Sequence, residues 1–360
     1  MQDTRPLGII VNPHSGRDAR RLFARAGTST IEDKRNQVTR IVVGAAAAGV
    51  ERILLSRDSF RIAASAVEAL TLDVRCELVE TPISGRGADS QAAAQHMREA
   101  GCGAIVALGG DGTSRAITQA WRDVVLLPLS TGTNNVYPLS IDGTSAGVAA
   151  GLVASGAIDV DRVAQPTKRI LVEISDADGT RRADDVALVD LALVDRAFVG
   201  ARAVTDPATL LSVVAAIGEP GSTGMSSIAG RAHPVDRHSR GGAFITIVHD
   251  GESVSRRVRV PLSPGTFDTL ALGEIRAIDD GEPVTLHGPG VLAFDGERDV
   301  PIGAGSTVTV TLERTGPRLI DVETTLMLAA HAGLFDATSN AAASPVTNAD
   351  PDAQETTDAH

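Results

Sequence analysis

Aromatic side chains are scarce in this chain: seven Phe, one Tyr and one Trp in 360 residues. Its cores must therefore be built from Ala, Val, Leu and Ile. Cysteine is equally sparse. Cys76 and Cys102 are the only two, and both lie beside apolar sequence. That excludes a disulfide framework and gives no zinc-ligand spacing, so buried free thiols are expected. No run approaches the ~18 apolar residues of a membrane span, and the N-terminal MQDTRPLGIIVNP has no apolar core of signal-peptide length. A cytoplasmic protein with no membrane partner is the expectation. Positive charge is in the minority, with 33 Lys and Arg against 45 Asp and Glu for a net charge of −12. A uniform nucleic-acid-binding surface is excluded on that balance, whereas a local basic pocket is not.

What is present is glycine and proline, 36 and 17 residues, in a chain long enough for two domains. Over the first 160 residues short apolar runs alternate with helix patterns. Strands are expected over 7–12, 52–55, 74–79, 104–108 and 124–127, with helices over 36–48, 58–70, 89–100, 114–121 and 145–154. That alternation predicts an α/β domain with a mainly parallel, Rossmann-like sheet covered on both faces. From about 166 to 318 the pattern changes to strands joined by turns, over 168–174, 185–194, 243–248, 253–260, 273–278, 290–294 and 306–312. This half reads as a β-rich second domain. Residues 207–218, with two apolar pairs, read as its helical exception. A helix over 319–335 is expected to return to the first domain, and 337–360 has the composition of a disordered tail.

The run Ala107-Leu108-Gly109-Gly110-Asp111-Gly112-Thr113 carries the most information. It follows a strand pattern and opens a helix pattern. Adjacent glycines let the backbone turn sharply and approach a ligand, and the amides of the following helix favour a phosphate. Asp111 would repel that phosphate unless it holds a metal ion or accepts a proton from an attacking hydroxyl. The combination points to phosphoryl transfer, against the plainer reading of a tight turn. Ligands of parallel sheets bind beyond the C-terminal strand ends. The turn at Asn12-Pro13-His14-Ser15-Gly16 falls at such an end, as does the glycine turn.

These residues resemble the superfamily of NAD kinases and diacylglycerol and sphingosine kinases. Gly109 to Thr113 matches its GGDGT signature, and the Asn12 to Gly16 turn is similar to its NPxSG-type loop. Leu129-Ser130-Thr131-Gly132-Thr133-Asn134-Asn135 is similar to its second nucleotide loop. The stretches at 200–203 and 223–230 are similar to NAD kinase-like proteins found with acetoin-catabolism genes. The resemblance implies ATP and Mg²⁺, with NAD(H) or a small metabolite as hydroxyl acceptor. It places Asn12, Ser15, Gly16, Gly109, Gly110, Gly112, Thr113, Thr131, Gly132, Thr133, Asn134 and Asn135 against nucleotide. Asp111 becomes the proton acceptor or metal ligand, and a homo-oligomer is expected. The two asparagines equally suit an Asx turn.

The second domain carries the departures. NAD kinases have an Asn-Glu pair where this chain has Val189-Asp190. Valine cannot make the asparagine's hydrogen bonds, although Asp190 keeps a carboxylate. Thr223 and Ser226 lie in a hydroxyl-rich loop suited to phosphate or sugar, or in a plain surface loop. Arg231, His233, Arg237, His238 and Arg240 could neutralise phosphates, contact another subunit or face solvent. Phe294-Asp295-Gly296-Glu297-Arg298 resembles the lipid-kinase DGE element, which makes Glu297 a second base candidate unless the segment is only a charged hairpin. The leading reading is an NAD kinase-like phosphotransferase. Its alternative is a dinucleotide-binding sensor or accessory protein of acetoin metabolism that transfers no phosphate.

Overall fold

The computed structural model describes residues 4–16, 29–132, 135–195, 207–249, 253–296 and 298–336. The first half runs β1 (Leu7–Val11), α1 (Ile31–Ala47), β2 (Arg52–Leu55), α2 (Ile62–Val67), β3 (Arg75–Leu78), α3 (Gly87–Glu99), β4 (Ala104–Gly109), α4 (Asp111–Ala120), β5 (Val125–Ser130), α5 (Gly143–Ala154) and α6 (Val160–Val163). The second runs β6 (Ala164–Pro166), β7 (Arg169–Ser175), β8 (Arg181–Ala187), β9 (Asp190–Val194), β10 (Leu210–Ala215), α7 (Ser226–Ala232), β11 (Gly242–Ile247), β12 (Arg256–Ser263), β13 (Thr266–Ile278), β14 (Pro283–His287), β15 (Gly290–Phe294), β16 (Arg298–Ile302), β17 (Thr307–Glu313), β18 (Arg318–Ile320) and α8 (Val322–His331).

Strands β1 to β5 form a parallel sheet in the order β3-β2-β1-β4-β5, extended by β18 and β6. Its side chains divide with the two-residue period of a strand buried on both faces. Leu7, Ile9 and Val11 of β1, with Ala104, Val106 and Leu108 of β4, join the core beneath α1, α2, α5 and α8. Ile10, Ile105 and Ala107 face the opposite core with Met97 and Ile117. The shortage of aromatics shows at the crossing of α1 and α5. A Cβ on Gly147 would lie 2.2 Å from the Ile41 carbonyl oxygen, and one on Gly44 2.3 Å from that of Thr144. Dense packing is reached there by bringing helix backbones together.

The second half is antiparallel. A seven-stranded sheet, β12-β13-β11-β10-β9-β15-β16, packs on a four-stranded one, β14-β17-β7-β8. Ile170, Val172, Leu191, Leu193, Phe244 and Phe294 are among the residues between them. Residues 207–218 are not a helix. After a short 3-10 turn at Pro207–Thr209, β10 is a central strand between β9 and β11. A short, mostly apolar run reads alike as buried helix or buried strand, and here β-branched Val213 and Val214 sit between two partners. The single strand expected over 185–194 is two, because the chain leaves the smaller sheet at Ala187 and enters the larger at Asp190.

Strand β18 returns to pair parallel with β5 and antiparallel with β6. The strands entering and leaving the second domain thus lie side by side. Val322 and Ala329 of α8 then pack into the core of the first domain. Among the described residues, no helix is long and apolar enough to cross a membrane. The tail at 337–360 and the 200–203 stretch lie outside the described residues.

Candidate functional site

Strand β1 ends where Pro13 removes an amide from the ladder. Asn12 still bonds to β4, its amide donating to the Leu108 carbonyl at 2.9 Å. Its side chain does two things. Oδ1 accepts from the amides of His14 (3.0 Å) and Ser15 (3.2 Å), while Nδ2 donates to Thr113 Oγ1 at 2.8 Å. Ser15 Oγ shares a hydrogen bond with Thr131 Oγ1 at 2.6 Å. Gly16 then turns the chain at φ +76°. The first loop is thereby tied to the other two by side chains 101 and 116 residues away.

The same loop is held from beneath. Lys34 of α1 is 1% exposed, and its Nζ donates to the carbonyls of Asn12 (3.0 Å), Pro13 (2.9 Å) and Ser15 (2.7 Å). An ammonium is buried at tolerable cost only when its donors are satisfied. A cleft opens beside this loop at the ends of β1 and β2, lined by Asn12, His14, Arg57, Asp58, Gly85 and Arg86.

Gly109 closes β4, and only glycine fits, because a Cβ there would lie 2.4 Å from Thr113 Oγ1. Gly110 is extended, at φ −104° and ψ −169°, and caps α4 without a side chain. Helix α4 therefore begins at Asp111, earlier than the pattern at 114 indicates, with Gly112 and Thr113 in its first turn. Asp111 is 7% exposed. Oδ1 accepts from the amides of Tyr137 (2.8 Å) and Val136 (3.1 Å), and Oδ2 lies 3.3 Å from the latter. Beyond β5 the backbone of 136–137 lies outside the named strands, and the carboxylate takes the place of a ladder partner.

In the third loop Thr131 is buried and Gly132 half-buried. Asn135 makes a local turn, donating to Ser130 Oγ at 2.9 Å, and Ser130 Oγ donates to the Gly132 carbonyl at 2.9 Å. Thr133 and Asn134 lie outside the described residues, as does Glu297.

A second aspartate repeats the arrangement. Asp295 sits in the left-handed region at φ 50°, which Asp tolerates, and Gly296 follows at φ 66°. Its Oδ1 accepts from the amides of Leu188 (3.0 Å), Val189 (2.8 Å) and Asp190 (3.3 Å), where the chain changes sheets. The carboxylate is fully buried, with Arg115 Nε of α4 3.7 Å away. Burial pushes the Asp295 carboxyl above its ordinary range, against the opposing pull of Arg115 and the amides. Arg115 also stands 5.8 Å from the Phe294 ring centre, and its Nε and Nη1 have no hydrogen-bond partner. The Val189 side chain is in the core with Ile117 and Tyr137, and its carbonyl accepts from Ala216 and Ile217. Asp190 is buried at the start of β9.

The hydroxyl-rich turn bonds within itself: Ser226 Oγ donates to the Thr223 carbonyl and Ser227 Oγ to that of Gly224. Glu219, four residues before Thr223, pairs with Arg237 at 3.0 Å. Arg237 is the member of the 231–240 cluster that turns toward the first domain, whereas Arg231, His238 and Arg240 are exposed. Among the described residues, no group of three or more His, Cys, Asp or Glu could hold a metal ion. Lys34, Asp295 and Arg237 carry no sequence signal for these roles, because each acts on backbone atoms of remote segments.

Comparison with known proteins agrees with the two halves. Residues 7–145 match the ATP-NAD kinase N-terminal domain, and residues 168–315 match the acetoin catabolism protein X C-terminal domain. Acetoin catabolism protein X of Cupriavidus necator is 36% identical over 324 residues, covering 88% of this chain and 90% of that protein. Yeast NADH kinase, solved in complex with NADH, superposes with a TM-score of 0.52 over 93% of this chain and 89% of its own, at 12% identity. That likeness is one of fold.

Proposed function

The chain belongs to the family of acetoin catabolism protein X, and on that footing we propose that it is a dinucleotide-binding sensor or accessory protein of acetoin metabolism that transfers no phosphate. The observation carrying this reading is Asp111. A general base needs a carboxylate with an open lone pair and raised basicity. This one is buried, and both of its oxygens are turned to the Val136 and Tyr137 amides, so it is committed to holding that segment. Freeing it would forfeit charge-assisted hydrogen bonds worth about 1.5–3 kcal/mol each.

The binding function keeps its support. The first loop, the glycine turn and Thr131 meet at the C-terminal ends of neighbouring parallel strands, where nucleotides bind in such sheets. The adjoining cleft is lined by Arg57 and Arg86 together with Asp58 and Asp89. At the opposite end, apolar Val189 stands where an NAD kinase-like site has an asparagine.

The competing reading is the kinase. ATP with Mg²⁺ would donate phosphate to a hydroxyl of NAD(H) or a related metabolite, with Asp111 or Glu297 taking the proton. Mg²⁺ is commonly held by one or two carboxylates together with substrate phosphates, so it would enter with the polyphosphate. Calorimetric titration with NAD, NADH, NADP and ATP, beside a radiolabelled γ-phosphate transfer assay, separates the two. Saturable dinucleotide binding without transfer is expected. Stoichiometric transfer to NAD would replace this reading with the kinase, and absence of any nucleotide binding would end both.

A further inference from the structure

Arg237 belongs to the second domain, yet its guanidinium ends on backbone of the first. Nη2 donates to the Val136 carbonyl at 2.8 Å and Nη1 to the Tyr137 carbonyl at 3.3 Å, while Nε pairs with Glu219 at 3.0 Å. The amides of those same two residues are the ones Asp111 holds. One dipeptide is thus gripped on its carbonyl side by an arginine and on its amide side by the glycine-turn aspartate.

The segment bearing Arg237 is itself fixed. Val235 and Gly218 exchange amide–carbonyl bonds at 2.9 Å in both directions. Lys168 Nζ donates to the carbonyls of Asp236 (2.9 Å) and Gly241 (3.0 Å), and Arg314 donates to those of His238 and Ser239. The Asp236 carboxylate accepts from the His238 amide at 2.7 Å. Arg237 therefore projects from a rigid base, and its three donor nitrogens are all engaged by protein.

We infer that Arg237 is a positioning residue by which the second domain sets the nucleotide loop that follows β5. It acts through Val136 and Tyr137 and does not contact ligand. Without it the carbonyls lose their fork, Asp111 is left as the other side-chain hold on the dipeptide, and the loop opens more readily away from Asp111 and Ser15. Lysine cannot replace it fully, because a point charge cannot bond two carbonyls and Glu219 in one plane. This inference rests on the nucleotide-binding reading for its consequence, though not for its structural half.

The test compares Arg237→Met and Arg237→Lys with the parent full-length protein, by hydrogen exchange of the ligand-free chain and by NAD titration. Exchange at the Val136 and Tyr137 amides should rise at least tenfold in Arg237→Met while the β1 and β4 amides stay protected. NAD affinity should fall tenfold or more in Arg237→Met, with partial recovery in Arg237→Lys. Unchanged exchange at those two amides overturns the inference, and so does faster exchange with unaltered NAD affinity. If the parent binds no nucleotide, the binding reading fails on its own account and exchange still decides whether Arg237 sets the loop. General loss of protection in Arg237→Met would mark a folding role, and Arg237→Lys, which keeps the charge, then decides: local acceleration at 136–137 alone supports positioning, and parent-like exchange there rejects it.

Discussion

Asp111 in the parallel domain and Asp295 in the antiparallel one stand in motifs that resemble phosphoryl-transfer machinery, and both are occupied by backbone. Each meets a place where the chain leaves regular structure: Asp111 the loop after β5, Asp295 the crossing from the smaller sheet to the larger. They differ in their surroundings. Asp111 borders the loops that Asn12, Ser15 and Thr131 draw together, whereas Asp295 is sealed beside Arg115, and burial raises its carboxyl. A carboxylate in a loop motif can thus serve as a brace with or without a ligand nearby. Of the two, Asp111 alone borders the loops on which the binding proposal rests.

The comparison can be broken most forcefully at Asp295. Asparagine tolerates the same positive φ, so Asp295→Asn removes charge while sparing backbone geometry. It leaves Arg115 buried without its counter-ion, and a loss near 3 kcal/mol is expected by urea denaturation. A change too small to measure would mean that Asp295 is already neutral. Asp111→Asn comes next. One acceptor oxygen is lost from the two amides, for an expected cost of about 1–2 kcal/mol with NAD binding largely kept. Parent-like stability combined with loss of a phosphate-transfer activity would make Asp111 a catalytic group and dissolve the parallel with Asp295.

Lys168 gives the smallest effect and sharpens the contrast from the cationic side. Burial, with help from Arg314, lowers its ammonium from about 10.5 to about 8. Between those values the unfolded chain holds a proton that the folded chain has released, so stability rises with pH through that window and is flat below it. From pH 7 to 8.5 the gain is under about 1 kcal/mol by that linkage. Unfolding curves for the parent and Lys168→Met, taken across pH 7–10, should diverge accordingly. A pH-independent difference would show an ordinary lysine.

The parallel sheet was legible because strands buried on both faces, such as β1 and β4, leave short continuous apolar runs between helix patterns. The glycine turn was legible for a steric reason, since Gly109 must lack a Cβ where Thr113 folds back over it. Strand β10 was not, because the pairs Leu210-Leu211 and Val213-Val214 mask a two-residue period. The meeting of Asn12 with Thr113 and of Ser15 with Thr131 followed once three loops fell at neighbouring strand ends. What escaped was every cation that works on carbonyls. Lys34 and Arg237 grasp main-chain oxygens, which all residues share, so nothing in the partner segment's side chains marks the contact. Spacing also misled at 185–194, where one apolar run feeds two sheets.

The return of β18 and α8 to the first sheet bears on how this protein is made. A ribosome releasing residues in order exposes the bare edge of β5 long before its neighbour at 318–320 exists. The first half must wait, unfinished, while the whole antiparallel half is synthesised. For the same reason a gene fragment stopping near residue 160 encodes a sheet with an open flank, and a useful boundary lies beyond His331.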